Sequence, residues 1–112
     1  MIDIHVKKLL THGQITLFTD IGSRYVLEAK EFLKNYSLTF SEYVLTVSPL
    51  DLQIHLALKK YTGQELVPYM FFGDKFVNLN EFHYFKENLN AFDKFLKEQK
   101  IYRNDDFYQG MV

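Results

Sequence analysis

Among the residue types that commonly do chemistry, this 112-residue chain has four histidines and no cysteine. The lack of cysteine excludes disulfides, thiolate nucleophiles, redox cycling and cysteine-ligated metal in this chain. The histidines, His5, His12, His55 and His83, show no short spacing such as i, i+4 that would place two metal ligands on one helix face. We therefore expect them to be surface or boundary residues, and we expect no metal site.

Composition indicates a folded domain and argues against several classes of partner. Apolar residues make up 47% of the chain and charged residues 24%, which is enough to bury a core and too little charge bias for a disordered chain. The formal net charge is -1, so the basic field that drives nonspecific nucleic-acid binding is missing. The aromatic run 69–72 lacks the Lys/Arg-Gly-Phe fingerprint of RNA-binding strands, so we expect it in the core. No long apolar run or charged-then-apolar leader is visible, so we expect no membrane span, no signal peptide and a cytoplasmic location.

Periodic apolar residues and turn residues predict the helices and strands that must position any functional group. Residues 50–58 alternate with period two, as in a strand, but Ser48 and Pro49 in front of them are typical of a helix start, and we predict a helix. Gly73 and Asp74 separate two apolar runs and are typical of a hairpin turn. The remaining spacing predicts helices over 2–12, 26–36 and 82–96, the last either continuous or broken at 88–90, strands over 15–19 and 38–47, and hairpin strands over 67–72 and 75–77.

The order of these elements predicts an α/β fold. The strand over 38–47 loses its alternation near Ser41 and Glu42, which predicts a bulge or a shortened strand. A strand, a helix and a second strand in succession predict a parallel pair with a right-handed crossover, and the hairpin adds an antiparallel half. We therefore predict a four-stranded mixed sheet flanked by helices, with a single domain over 1–102 and a flexible C-terminal tail over 103–112.

This element order resembles the thioredoxin fold, and the details resemble the glutaredoxin branch, from about residue 5 to about residue 100. The most specific match is the run from Thr62 to Pro68, which resembles the Thr-Gly-Gln-x-Thr-Val-Pro of that family. Weaker matches are the first strand, the helix after the family's active-site turn and the hairpin, at Ile15–Thr19, Ala29–Leu33 and Gly73–Val77. In the family the proline equivalent to Pro68 is cis, and the backbone before it pairs with a peptide-like ligand.

The departures from the family pattern bear directly on function. The alignment places the family's Cys-x-x-Cys on Ser23–Val26, where both sulfur atoms are lost. A serine hydroxyl is a far weaker acid than a thiol and does not exchange with disulfides, so the family's reaction cannot occur here. Asp20 stands where the family often has a lysine, and Glu65 adds a negative charge beside the pocket. The side chains of Asn78 and Leu79 replace a glycine pair whose amides receive a glutathione carboxylate, and they would crowd that approach.

The resemblance therefore implies a degenerate, redox-inactive glutaredoxin-like domain that binds another protein or a peptide and is not an enzyme. Arg24 would supply positive charge for a carboxylate, and Tyr25 would supply a flat apolar surface. We expect no cofactor, with glutathione as the one ligand left open. The predicted ligand-binding residues lie in the active-site turn and beside the proline: Ser23, Arg24, Tyr25, Gln64, Val67 and Pro68.

Several alternatives remain open at this stage. Ser23 is typical of a helix N-cap, which needs no ligand. It could instead donate a hydrogen bond to a bound thiolate in a glutathione-dependent enzyme, although serine-type glutathione transferases add a large helical domain for which 112 residues leave no room. The chain could also carry serine at position 23 in place of a natural cysteine, and Val26 would then make the natural protein monothiol. A stripe of phenylalanines, with Phe95 one step off it, could pack into a larger assembly as a structural subunit. The oligomeric state is not predicted.

Overall fold

Four strands form one mixed sheet in the computed structural model, which describes residues 4–10 and 13–104. The strands are β1 (Ile15–Thr19), β2 (Phe40–Val44), β3 (Tyr69–Phe72) and β4 (Lys75–Val77), and their order across the sheet is β2-β1-β3-β4. β1 pairs in parallel with β2 and antiparallel with β3, and β3 forms the predicted hairpin with β4. The predicted four-stranded mixed sheet is therefore confirmed.

Five helices accompany this sheet in the described ranges: α1 (Ile4–Leu9), α2 (Arg24–Asn35), α3 (Pro49–Thr62), α4 (Leu79–Glu87) and α5 (Leu89–Glu98). The helix predicted despite period-two alternation is confirmed as α3. The helix predicted over 82–96 is broken, because α4 ends and α5 begins at Asn88. The first predicted helix is confirmed over α1, and its outer residues 2, 3, 11 and 12 lie outside the described part of the chain.

Capping residues explain where α3 begins and ends. Ser48 occupies the N-cap position, and its Oγ accepts a hydrogen bond from the backbone N–H of Asp51 at 3.3 Å. Pro49 follows at the first helical position, where its missing N–H breaks no hydrogen bond. Gly63 ends the helix at φ 73°, a left-handed conformation that glycine adopts without steric strain.

The second strand is shorter than the sequence predicts. It covers Phe40–Val44 and pairs in unbroken register with β1, so these residues form a shortened strand without a bulge. On its N-terminal side, the N–H of Leu38 donates to the carbonyl of Leu33 at 2.9 Å and so completes the turn at the end of α2. On its C-terminal side, the N–H of Thr46 donates to Asp51 at 2.9 Å, which draws the chain away from the sheet toward α3.

Both central strands are buried on both faces, so the sheet separates two hydrophobic clusters. Every residue of β3 is fully buried, as predicted for this aromatic run. One cluster joins the sheet to α2, α4 and α5 through Leu17, Met70, Phe72, Leu33, Phe82 and Phe92. The other joins it to α1 and α3 through Phe18, Tyr69, Phe71, Val6, Ile54 and Leu58. Among the described helices, none is long and apolar enough to cross a membrane.

The last described residues pack against the end of α2. The N–H of Asn104 donates to the carbonyl of Ser37 at 2.8 Å, and the guanidinium of Arg103 lies 4.3 Å from the ring centroid of Tyr36. These contacts belong to the first two residues of the predicted tail. The rest of that tail, 105–112, lies outside the described residues.

Candidate functional site

The first turn of α2 holds the residues that align with the family's cysteine motif. Ser23 occupies the N-cap position, but its side chain makes no capping hydrogen bond, so the helix begins without a hydroxyl cap. Arg24 is largely exposed and its Nε lies 3.3 Å from a carboxylate oxygen of Glu28, one helical turn away. Tyr25 is 50% exposed. This turn therefore presents a half-exposed aromatic ring beside a charge pair that solvent screens.

The loop before β3 lies close to the first turn of α2. The Val67–Pro68 peptide bond is cis, and both side chains are buried. Val67 belongs to the same buried cluster as Val26 in α2, which brings the loop and the helix together. Leu66, immediately before them, is 56% exposed. The apolar surface that this loop offers to a ligand is therefore Leu66.

The side chain of Gln64 ties this loop to the beginning of α4. Its Nε2 donates to the carbonyl oxygens of Leu66 at 2.6 Å and Pro68 at 2.9 Å. Its Oε1 accepts a hydrogen bond from the backbone N–H of Leu79 at 3.0 Å. Because both amide protons are already donated within the protein, Gln64 shapes the site and has no free donor for a ligand.

Tyr69, the first residue of β3, supports the same loop through its hydroxyl group. It is fully buried, and its hydroxyl donates to the carbonyl of Gln64 at 2.6 Å. Burial raises the pKa of Tyr69 to about 12, with a further contribution from the charge of Glu65. The hydroxyl therefore stays protonated at neutral pH and remains a hydrogen-bond donor to the loop.

The beginning of α4 satisfies its own backbone amides. Asn78 and Glu81 form a capping box, in which the Asn78 side chain accepts from the Glu81 N–H at 2.7 Å and the Glu81 carboxylate accepts from the Asn78 N–H at 3.1 Å. The N–H of Leu79 is bound by Gln64. A ligand carboxylate would have to displace these internal acceptors, so this helix end is poorly suited to anion binding.

A groove of about 330 Å³ lies between α2 and α4, and we call it the α2–α4 groove. Apolar side chains supply much of its lining, and the charged or polar ones come from both helices. The lining residues are Tyr25, Glu28, Ala29, Leu66, Leu79, Asn80, Phe82, His83 and Lys86. A second, shallower cavity of about 490 Å³ shares Leu66, Leu79 and Asn80 with the groove and extends along Thr62–Glu65. Together they form one continuous concave surface beside the loop.

The structure places the six predicted site residues in different roles. Tyr25 lines the α2–α4 groove and Gln64 lines the adjoining cavity. Ser23 and Arg24 lie at the beginning of α2 and are not among the groove-lining residues. Val67 and Pro68 are buried, so their side chains support the surface from within.

Of the nine residues that line the α2–α4 groove, sequence reasoning predicted only Tyr25 as a site residue; those it missed include Leu66, Leu79, Phe82 and Lys86. A signal existed for Leu79, because it stands where the family has a glycine and a larger side chain there must face the ligand region. The position of Phe82 on an apolar helical stripe indicated core packing, and this is also correct, since it belongs to the buried cluster. Nothing in the sequence distinguished Lys86 from other surface lysines.

Two of the four histidines have described side chains. The ring of His55 packs edge-on against Tyr69 with centroids 5.7 Å apart, and burial lowers the pKa of His55, as does the charge of Lys59. His83 lies in the groove wall, with Nε2 3.4 Å from a carboxylate oxygen of Glu87. Within residues 4–10 and 13–104, no group of three or more histidine, aspartate or glutamate side chains is placed to hold a metal ion.

Solved structures with the same architecture are glutaredoxins. The buckwheat glutaredoxin–glutathione complex superposes with a TM-score of 0.76 at 19% identity, covering 88% of this chain and 90% of that one. Holo glutaredoxin C1 from Populus tremula x tremuloides gives 0.72 at 21% identity, over 85% and 94% of the two chains. Oxidised glutaredoxin 2 from Chlamydomonas reinhardtii gives 0.71 at 20% identity, over 85% and 90%. The chain has the glutaredoxin-type thioredoxin fold. No protein-family model matches the sequence, and no curated protein matches it either.

The glutaredoxin-like architecture confirms the predicted fold. Those structures were solved as a glutathione complex, a holo form and an oxidised form. This glutaredoxin-like chain has no cysteine at any position. It has a concave surface between the beginning of α2, the loop before β3 and α4.

Proposed function

We propose that this glutaredoxin-like domain is redox-inactive and acts as a binding module for a peptide or an exposed segment of another protein. The surface that performs this function is the α2–α4 groove together with the adjoining cavity. The observation that carries the proposal is the groove itself, which is open to solvent. It combines the half-exposed Tyr25 with an apolar floor formed by Leu66, Leu79 and Phe82. Concave, mainly apolar surfaces with a few polar groups are typical of ligand sites.

The chemistry of the turn supports binding in place of catalysis. The Ser23 hydroxyl makes no hydrogen bond to a base within the described residues, and it is far less acidic than a thiol, so it lacks what activates a nucleophile. Tyr25 is a two-torsion aromatic side chain, and such residues supply contact area at low entropic cost. Its 50% exposure leaves about half of the residue available to a partner.

The proposal disfavours glutathione as the ligand of this site. A carboxylate-rich tripeptide needs free donors, and the amides of Asn78, Leu79 and Glu81 at the beginning of α4 are already bound internally. Asp20 and Glu65 add negative charge at nearby positions of the chain. The beginning of α4 therefore offers glutathione no free backbone donor, whereas the apolar floor of the groove suits a hydrophobic side chain.

A display library of random octapeptides, panned against the full-length protein, tests the proposal. We expect enrichment of peptides that bind the wild-type protein and bind Tyr25→Ala about 30-fold more weakly, as for an aromatic hot-spot residue worth about 2 kcal/mol. Tyr102→Ala is the matched control, because Tyr102 is 66% exposed and does not line the groove, and it should bind like the wild type. Arg24→Ala should have a small effect, because that side chain is screened and paired with Glu28.

Amide NMR locates the binding surface independently of substitutions. The best synthetic peptide should shift the resonances of Leu66, Leu79 and Phe82, whereas glutathione at millimolar concentration should leave them in place. The proposal is wrong if no peptide is enriched, or if Tyr25→Ala binds enriched peptides as well as the wild type does. Glutathione-induced shifts at these residues would instead favour the glutathione-binding alternative.

A further inference from the structure

One cation in the α2–α4 groove has no carboxylate partner among the residues that the structure describes. Three acidic or basic side chains line the groove: Glu28, His83 and Lys86. Glu28 lies 3.3 Å from Arg24, and His83 lies 3.4 Å from Glu87. For Lys86, no ion pair is found within residues 4–10 and 13–104. Among the charged side chains that line the groove, Lys86 is therefore the one left to pair with an occupant.

The ammonium group of Lys86 lies over an aromatic ring of the groove. Its Nζ lies 5.8 Å from the centroid of the Phe82 ring, which is the geometry of a cation–π contact. Phe82 is 5% exposed and packs edge-on against Phe32 in the core, with centroids 5.4 Å apart. The aromatic ring is thus rigid, and the charge above it lies next to the apolar floor.

We propose that the α2–α4 groove selects an acidic–apolar peptide segment, an inference that rests on the binding function proposed above. One apolar side chain occupies the floor formed by Leu66, Leu79 and Phe82, beside Tyr25. An aspartate or glutamate of the same segment pairs with Lys86. An extended chain advances about 3.3 Å per residue, so the acid lies one or two positions from the apolar anchor.

The position of Lys86 on α4 also favours a ligand segment that carries a carboxylate. Its N-terminal amides at Asn78, Leu79 and Glu81 are bound internally, so they do not draw a ligand carboxylate to that end. Lys86 lies in the last turn of the same helix, so the positive group available to a ligand lies at the opposite end of the groove wall. A carboxylate is therefore directed toward Lys86, which fixes the orientation of the segment.

Charge reversal at position 86 tests the inference. Random octapeptides are panned in parallel against the full-length wild type and the full-length Lys86→Glu and Lys94→Glu variants. The wild type should enrich an apolar residue with Asp or Glu within two positions of it. Lys86→Glu should enrich Lys or Arg at that position, and it should bind the best wild-type peptide about tenfold more weakly. Lys94→Glu, an exposed change of the same kind in α5, should enrich the wild-type motif.

Each outcome separates this inference from the function on which it rests. Enrichment of apolar peptides without acids, or of the same motif by the wild type and Lys86→Glu, would overturn the acidic preference and leave peptide binding intact. Failure of every variant to enrich any peptide would overturn both. Circular dichroism and urea unfolding confirm that each variant is folded, and Lys86→Arg, which keeps the charge, should retain the wild-type motif.

Discussion

Replacement of Gln64 by alanine should destabilise the protein and open its binding surface together. The side chain makes three internal hydrogen bonds, to the carbonyls of Leu66 and Pro68 and from the N–H of Leu79. Each hydrogen bond contributes about 0.5–1.5 kcal/mol net, and an unsatisfied buried carbonyl such as that of Pro68 adds a desolvation penalty. We expect Gln64→Ala to lower the free energy of unfolding by about 3 kcal/mol.

The matched variant Gln64→Glu separates hydrogen bonding from loss of side-chain volume. A glutamate keeps the length and can still accept from the N–H of Leu79, but it has no amide protons to donate. It also places a negative oxygen against the two carbonyl oxygens that the amide now binds. We therefore expect Gln64→Glu to be at least as destabilising at neutral pH as Gln64→Ala.

Urea unfolding followed by circular dichroism measures these effects as a change in midpoint at constant m-value. Gln53→Ala is the control, because Gln53 is exposed on α3, and it should change stability by less than about 0.5 kcal/mol. A loss below about 0.5 kcal/mol for Gln64→Ala, or wild-type stability for Gln64→Glu, would show that the amide does not hold the loop. The same variants should weaken peptide binding, since Leu66 and Leu79 both line the groove.

Other predictions concern the N-cap of α3 and the dependence of stability on acidic and basic pH. Ser48→Ala should cost about 1 kcal/mol in urea unfolding, because the Ser48 hydroxyl caps α3. Hydrogen bonds from Thr46 and Tyr43 hold the pKa of Asp51 below its usual 3.8, so the stability they confer is present above pH 3.8 and is lost as pH falls through the lower folded-state value. Asp51→Asn should therefore show a shallower acid dependence of its urea midpoint than the wild type, and an unchanged slope would contradict this. Burial and the hydrogen bond to Asp93 raise the pKa of Tyr36 to about 12, so stability should fall as pH rises from 10 toward 12, and Tyr36→Phe should reduce that fall.

The fold could be predicted from the sequence where local capping signals and tertiary packing favour the same structure. Ser48, Pro49 and Gly63 carry the capping signals of α3, and these signals correctly outweighed a misleading alternation of leucines. That alternation arises because the face of α3 away from the core exposes Leu52 and Leu56. The second strand was predicted too long because the backbone N–H groups of Leu38 and Thr46, on either side of it, donate to residues of α2 and α3, and single-residue propensity does not detect such hydrogen bonds.

The candidate site could be predicted from the sequence only in part, because its side-chain contacts depend on tertiary structure. Tyr25 and Gln64 were identified through the family pattern, but the pattern cannot say whether a polar side chain faces a ligand or its own backbone. In Gln64 both amide protons are donated internally, and this depends on the close approach of the loop before β3 to the beginning of α4. Lys86 contributes to the groove only because Phe82 anchors that part of α4 in the core, a tertiary relation that no local motif encodes.

Two of the side chains that line the α2–α4 groove are also part of the hydrophobic core, since Ala29 and Phe82 belong to the same buried cluster as Phe72 and Phe92. A molecule that fills the groove therefore binds the native state and has no comparable site on the unfolded chain. Ligation and thermal denaturation are then linked, and a ligand at a hundred times its dissociation constant adds about 2.7 kcal/mol to the stability of the fold. The melting temperature is thus a label-free measure of how fully the groove is occupied, and it can be used to rank candidate ligands.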